Sequence, residues 1–236
     1  MSPFLGEFIG TALLITMGAG VVANVVLNKT KGNNSGWIVI TFGWAMAVFI
    51  GVYAATKMGS LGHLNPAVTL ALALAADFDK SLIAPYIAGQ FAGAIAGSIA
   101  VWLAYKQHFD ETENKDLKLA VFCTAPAIRG TVYNLLTEAI GTFILMFGAL
   151  AMTPATTPFI TLDALPTGLL VLGIGLSLGG PTGYAINPAR DLGPRIAHFI
   201  LPIRNKRDSD WSYAWIPVIG PVAGALLAAT AYKLIV

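Results

Sequence analysis

Long apolar runs occupy most of this chain and restrict it to a membrane-spanning fold. The runs extend from about Phe4 to Leu27, Gly36 to Tyr53, Leu82 to Tyr105, Val132 to Met152, Leu165 to Leu178 and Trp211 to Val236. A helix that crosses a bilayer needs about 20 predominantly apolar residues. Only 11% of the residues are charged, whereas an ordinary soluble domain carries about 25%. We therefore predict an all-α membrane protein with six transmembrane helices.

Two further apolar segments are only about half the length needed to cross a bilayer. They run from His63 to Ala76 and from Asn187 to Ile200, and each opens with the triplet Asn-Pro-Ala. One interpretation is an ordinary helix start, because Asn is favoured at the N-cap and Pro at the first helical position. The other is a pair of half-helices that enter the membrane without crossing it. The paired occurrence favours half-helices.

The two halves of the chain resemble each other. Gly6 to Thr11 resembles Thr137 to Thr142, Asn65-Pro66-Ala67 matches Asn187-Pro188-Ala189, and Gly89 to Ala94 resembles Gly220 to Ala225. The landmarks keep the same order, which indicates a duplication. We predict one membrane domain over residues 1–236, with repeats at approximately 1–118 and 130–236.

Each repeat holds three predicted spans and one half-length segment. Because three is odd, the second repeat must cross the membrane in the opposite sense to the first. Broken helices at matching places in inverted repeats are typical of a binding site at the bilayer midplane. We therefore expect two re-entrant half-helices that enter from opposite faces and meet near the centre.

Composition excludes several classes of partner and cofactor. Fourteen Lys and Arg against twelve Asp and Glu leave a formal net charge of +2, too little for a nucleic-acid surface. Cys123 is the only cysteine and there are three histidines, so the sequence offers no disulfide and no metal-ligand set. We predict no metal, no cofactor and no nucleic-acid partner.

Two acidic residues fall inside predicted spans, where an ionisable group needs an explanation. Glu7 and Glu138 occupy matching positions of the two repeats. They are either proton-relay groups of a coupled transporter or acceptors for backbone N–H groups of the re-entrant loops, which lipid cannot satisfy. We favour loop support, and we expect His63, two residues before Asn65, to brace the same loop.

These residues resemble the major intrinsic protein family, the aquaporins and glycerol facilitators. The resemblance rests on both Asn-Pro-Ala triplets, on the stretch Gly62 to Thr69 and on the Glu in the first helix of each half. It implies an aquaporin-like fold of six spanning helices and two half-helices around a pore lined by the two triplets. It also implies a multi-pass protein of the cell membrane, assembled in the lipid bilayer as a homotetramer with one pore per subunit.

Several residues resemble the glycerol-facilitator, or aquaglyceroporin, branch of that family. Asp191 follows Arg190 where water-selective members usually have a small residue, and Pro217 precedes Val218 in the last helix. The resemblance assigns Asp191 to loop support together with Glu7, His63 and Glu138.

The resemblance also implies a narrow filter at Trp44, Gly175, Tyr184 and Arg190. Water-selective members usually have His where Gly175 stands, and glycerol facilitators commonly have Phe where Tyr184 stands. Two alternatives remain open from the residues alone. Trp44 is also typical of a membrane-interface anchor, and Arg190 of a side chain that snorkels to the interface.

We predict a passive channel rather than an enzyme, because no nucleophile, metal or acid-base set lies near the predicted pore. It would conduct glycerol, other small neutral solutes and some water, and exclude ions and protons. The alternatives are a mainly water-selective pore and a proton-coupled secondary transporter, since inverted repeats and broken helices also occur there.

Overall fold

The computed structural model describes residues 2–76, 78–152 and 164–236. In these ranges the chain forms helices and no strand, as the apolar runs predicted. The α-helices are α1 (Pro3–Val26), α2 (Trp37–Lys57), α3 (Pro66–Ala75), α4 (Ile83–Ala104), α5 (Lys106–Glu111), α6 (Lys115–Ala120), α7 (Thr131–Ala151), α8 (Leu165–Leu178), α9 (Pro188–Ile200) and α10 (Ile216–Ile235). A 3₁₀ turn, Lys80–Leu82, precedes α4.

Five helices of the described part are long and apolar enough to cross a membrane. They are α1, α2, α4 with its preceding turn, α7 and α10. The sixth predicted span is α8, which has the expected bounds and 14 residues. Residues 153–163, between α7 and α8, lie outside the described residues.

The two predicted half-length segments form α3 and α9, with 10 and 13 residues. At about 1.5 Å per residue, each covers roughly 15–20 Å, against about 30 Å for the hydrocarbon core of a bilayer. Each helix starts at the Pro of its Asn-Pro-Ala triplet, with the Asn as N-cap. The two Asn-Pro-Ala triplets therefore start helices that are too short to cross a bilayer, as the interpretation as half-helices predicted.

The two repeats show matching helix contacts, and the half-helix of each repeat packs against the other repeat. The first helix of each half packs along the third, α1 on α4 and α7 on α10. The half-helix α3 packs on α10 and α9 packs on α4, so each lies against the other repeat. Close approach requires glycine: a Cβ at Gly93 would lie 2.3 Å from the Phe8 carbonyl oxygen, and one at Gly224 would lie 2.0 Å from that of Ala139.

The charged stretch from Lys106 to Lys118 contains the short helix α5 and most of α6. Asn114 caps α6 by accepting the Asp116 N–H at 2.9 Å. Lys118 is buried, and its Nζ donates to the Arg204 carbonyl at 2.6 Å. The connection therefore packs against the segment that follows α9 and covers that end of the molecule.

Candidate functional site

The N-termini of the two half-helices meet in the interior and are joined by reciprocal hydrogen bonds. Asn65 Nδ2 donates to the carbonyl of Ile186 at 2.8 Å, and Asn187 Nδ2 donates to the carbonyl of Leu64 at 2.8 Å. Each Asn Oδ1 also accepts the backbone N–H two residues ahead, at 2.9 and 3.0 Å. Each asparagine thus caps its own half-helix and also bonds the loop that precedes the other half-helix.

The residue before each asparagine has a left-handed backbone. Leu64 has φ of 50° and Ile186 has φ of 44°. Residues other than glycine rarely adopt this region, and bulky or β-branched residues least of all. Each such residue costs about 1–3 kcal/mol and persists only where the surroundings fix it. The carbonyls of these two residues are the ones that the opposite asparagines bond.

Glu7 holds the first of these loops from inside the protein. Its Oε1 accepts the His63 N–H at 2.9 Å, and its Oε2 accepts the Leu64 N–H at 2.7 Å. Gln90 Nε2 donates to the same carboxylate at 2.7 Å, and the Ser60 hydroxyl donates to it as well. Glu7 is fully buried, so its carboxylate supplies the acceptors for two backbone N–H groups inside the protein.

Glu138 holds the second loop in the same way. Its Oε1 accepts the Ala185 N–H at 3.0 Å and the Thr182 hydroxyl at 2.7 Å. Its Oε2 accepts the Ile186 N–H at 2.8 Å. Both glutamates therefore bond the two residues that precede an Asn-Pro-Ala triplet.

His63 is buried within the first loop. Its Nδ1 lies 3.1 Å from the Thr69 hydroxyl, on the first turns of α3. Its ring packs against Tyr86 and Phe78, with centroids 4.6 and 4.9 Å away. These contacts fix the ring beside the loop that Glu7 holds.

Trp44 and Arg190 stack on each other in the interior. The Arg190 Cζ lies 3.9 Å from the centroid of the Trp44 ring, well inside the range of a cation–π contact. Trp44 is 4% exposed and Arg190 is 7% exposed. Arg190 Nη1 also donates to the Phe122 carbonyl at 3.3 Å. The pair therefore lies inside the protein and not at the ends of the spans.

Tyr184 lies over Gly175, the other predicted filter residue. A Cβ at Gly175 would be 2.9 Å from Tyr184 Cζ, so the tyrosine ring fills the place that a side chain at 175 would take. Trp37 Nε1 donates to the Gly175 carbonyl at 3.1 Å, and its ring meets Tyr184 edge-on at 5.9 Å. Because α8 ends at Leu178, this carbonyl lies in the last turn, where helix partners run out.

Asp191 anchors a buried network that the sequence did not predict. Its Oδ1 lies 2.8 Å from Arg195 Nη2, and its Oδ2 accepts both the N–H and the hydroxyl of Thr124 at 2.7 Å. Arg195 also donates to the carbonyls of Thr124 at 2.9 Å and Ser209 at 2.7 Å. The spacing of four residues between Asp191 and Arg195 on one helix was a usable signal for this pair.

One cavity of about 420 Å³ connects most of these residues. From the predicted site it is lined by Trp44, His63, Asn65, Tyr184, Asn187 and Arg190, and otherwise mainly by aliphatic side chains. Gly175, Glu7, Glu138 and Asp191 are not among its lining residues. The cavity therefore presents a few fixed polar groups on an otherwise apolar wall, the usual character of a small-molecule site.

The described residues contain no group of three His, Cys, Asp or Glu side chains that could hold a metal ion. Cys123 is buried and makes no disulfide.

Comparisons with known proteins identify the family of this chain. A sequence profile of the family described as major intrinsic protein matches residues 1–232. The chain is 56% identical to a probable glycerol uptake facilitator protein of Thermotoga maritima and 54% identical to a glycerol uptake facilitator protein of Streptococcus pneumoniae, over 99% of each chain in both cases. The X-ray structure of the aquaglyceroporin from Plasmodium falciparum superposes with a TM-score of 0.86 at 31% identity, covering 98% of this chain and 94% of that one. This chain therefore belongs to the major intrinsic protein family.

Proposed function

We propose that this protein is a passive membrane channel, and not an enzyme, which conducts glycerol and other small neutral solutes with some water. The observation that carries the proposal is the interior cavity in which Arg190, two aromatic side chains and the two capping asparagines meet. Two relatives that are more than 50% identical over nearly the whole chain are named glycerol uptake facilitators, and these names support the same class of solute.

Arg190 and the aromatic pair would form the narrow filter. The guanidinium is a permanently charged, planar group with several N–H donors, and the contacts with Trp44 and the Phe122 carbonyl hold it in place. Its free donors would bond adjacent hydroxyl groups of a polyol, while Trp44 and Tyr184 pack against the carbon side. Gly175 would contribute to the filter indirectly, because the absence of a side chain lets the Tyr184 ring pack closely against α8.

The half-helix N-termini would act at the centre of the pore. Each amide Nδ2 of Asn65 and Asn187 has two N–H groups, of which one bonds the opposite loop. The second would donate to a passing water or hydroxyl oxygen. As in other pores of this type, the positive ends of the half-helix dipoles and the arginine disfavour cations and protons.

We assign Glu7, His63, Glu138 and Asp191 to support of the pore loops. The two glutamates bond backbone N–H groups, His63 bonds Thr69 and Asp191 bonds Arg195 and Thr124. Loop support explains the buried glutamates without a proton relay, so a passive channel is favoured over a coupled transporter. A mainly water-selective pore is less well supported, because position 175 carries no side chain.

We further propose that the chain works as one channel domain, residues 1–236 with repeats at about 1–118 and 130–236, in a homotetramer within the lipid bilayer. Large apolar side chains on the outer faces of the spans support contact with lipid or with other subunits, for example Phe42 at 52% and Leu227 at 63% exposed. Native mass spectrometry of the protein in detergent checks the assembly. A mass of four chains is expected, and a monomer at all concentrations would contradict it.

Osmotic swelling of proteoliposomes tests the conduction. Vesicles with and without the protein are mixed rapidly with a glycerol solution in one experiment and with a solution of an impermeant osmolyte in another. Light scattering follows the vesicle volume, which gives the glycerol permeability in the first case and the water permeability in the second. We expect the protein to raise glycerol permeability well above that of empty vesicles. Increased water permeability without any increase for glycerol would assign the protein to the water-selective type instead.

A further inference from the structure

The indole of Trp44 lies directly on the backbone of α1, at Gly18. A Cβ built at Gly18 would lie 2.2, 2.3 and 2.6 Å from three carbon atoms of the indole six-membered ring. Carbon atoms in ordinary contact are about 3.5–4.0 Å apart. Gly18 is buried within α1 and has no other way to accommodate a side chain at this position. Only glycine allows the indole to lie this deep.

The same indole also forms part of the cavity wall. Trp44 lines the cavity, and its ring stacks on the Arg190 guanidinium at 3.9 Å. The ring therefore contacts the backbone of α1 at Gly18 and also the Arg190 guanidinium at the cavity. How far the ring projects into the cavity depends on how deeply it sinks against α1.

We propose that Gly18 is a positioning residue that sets the width of the filter, and with it the largest polyol that passes. This inference rests on the proposed function, since it concerns the same filter. Any side chain at position 18 moves the indole by more than about 1 Å to restore normal contact distances, and that shift would disturb the stack on Arg190 and the cavity wall that the ring forms. Gly18 acts through Trp44 without touching the solute.

The second aromatic wall is built by the same principle. A Cβ at Gly179 would lie 2.5 Å from Tyr184 Cδ1, and one at Gly175 would lie 2.9 Å from Tyr184 Cζ. Both aromatic side chains of the filter therefore lie on glycine backbone. The amount of space between them is set by residues behind the wall as well as by those on it.

The chain offers a matched control for Gly18 on the same helix. At Gly20, two residues away, a built Cβ meets nothing within 4 Å. Alanine has the higher helix propensity at both positions, by about 1 kcal/mol, so both substitutions leave α1 intact. The methyl group of Gly18→Ala meets the Trp44 indole, whereas that of Gly20→Ala has open space around it.

The experiment measures water, glycerol, erythritol and xylitol permeability of proteoliposomes containing equal amounts of folded protein. For Gly18→Ala we expect a fall of about tenfold in glycerol permeability, a barrier increase of about 1.4 kcal/mol. We expect a larger fall for the longer polyols and a much smaller one for water. Gly20→Ala should match the wild type. Equal ratios of polyol to water permeability in the two variants would overturn the proposal.

A second pair of variants tests the route through Trp44 and remains informative if Gly18→Ala folds poorly. Phenylalanine at position 44 is smaller and leaves room for a methyl group behind it. Adding Gly18→Ala to Trp44→Phe should therefore leave the polyol-to-water permeability ratio of Trp44→Phe nearly unchanged. A further fall of about tenfold in glycerol permeability in the double variant would contradict the inference, because position 18 would then act without Trp44. If the wild type conducts no glycerol at all, the proposed function fails instead.

Discussion

The two half-helices begin alike and diverge after three residues. Both start with Asn-Pro-Ala, and a buried glutamate holds the loop before each. In the first repeat the next two residues are Val68 and Thr69, whereas in the second they are Arg190 and Asp191. The comparison teaches that the loop support is duplicated, while the fixed charges near the filter belong to the second repeat alone.

The residue four positions after the asparagine shows the difference most clearly. Thr69 bonds the His63 ring at 3.1 Å, the Gln90 amide at 3.0 Å and the Asn65 carbonyl at 3.1 Å. Asp191 forms a fully buried ion pair with Arg195 and binds the Thr124 backbone. The second repeat therefore uses buried charge to hold its outer loops in place around Arg190.

The largest expected effect is that of Asp191→Asn. The substitution leaves Arg195 buried without a counter-charge, which costs about 3–5 kcal/mol. The measurement is the midpoint of thermal unfolding of the purified protein in detergent. Asp208→Asn is the control, because its ion pair with Arg207 is largely exposed and should contribute less than about 1 kcal/mol. Similar midpoints for the two variants would show that the buried pair does not stabilise the second repeat.

An intermediate effect is expected for Glu7→Gln and Glu138→Gln, made separately. In each case an amide N–H₂ replaces one carboxylate oxygen and faces a buried backbone N–H, which costs about 1–3 kcal/mol per unsatisfied group. Because both carboxylates bond two backbone N–H groups, the two losses should agree within about 1 kcal/mol. Thermal unfolding again gives the comparison. A large loss in only one repeat would refute the equivalence of the two supports.

The smallest effect is expected at the outer end of α9. Lys206 Nζ donates to the carbonyls of His198 at 2.5 Å, Phe199 at 2.7 Å and Leu201 at 2.7 Å. A cation at a helix C-terminus contributes about 0.3–1 kcal/mol, so Lys206→Met should lower stability by that amount. Lys233→Met, an exposed position on α10, should change nothing. If Lys206→Met is as stable as the wild type at low salt, this cap contributes no stability.

The sequence was sufficient to predict the helices that follow from local composition or from a repeated motif. Apolar length identified the spans, and the repeated triplet identified α3 and α9. The partners of Glu7 were predictable in kind because lipid leaves a loop N–H unsatisfied, although Ser60 and Gln90 could not be named.

Contacts between residues distant in the chain were not predictable from one sequence. Trp37 bonds the Gly175 carbonyl 138 residues away, and Arg190 bonds Phe122 across 68 residues. The position of Gly175 behind Tyr184, and not on the cavity wall, depends on how α8 packs and on the backbone of Tyr184, whose φ is 38°. Neither propensity nor periodicity reports such packing.

The most direct test of passive conduction is the distribution of labelled glycerol across proteoliposomes under an imposed pH gradient. A channel equalises the inner and outer concentrations at the same level with and without the gradient, because Glu7 and Glu138 are committed to the pore loops. We predict a ratio of inner to outer glycerol of about one in both cases, as required of a pore that only lets solute run down its gradient. Accumulation above the outer concentration that depends on the pH gradient would contradict this mechanism and point to coupled transport.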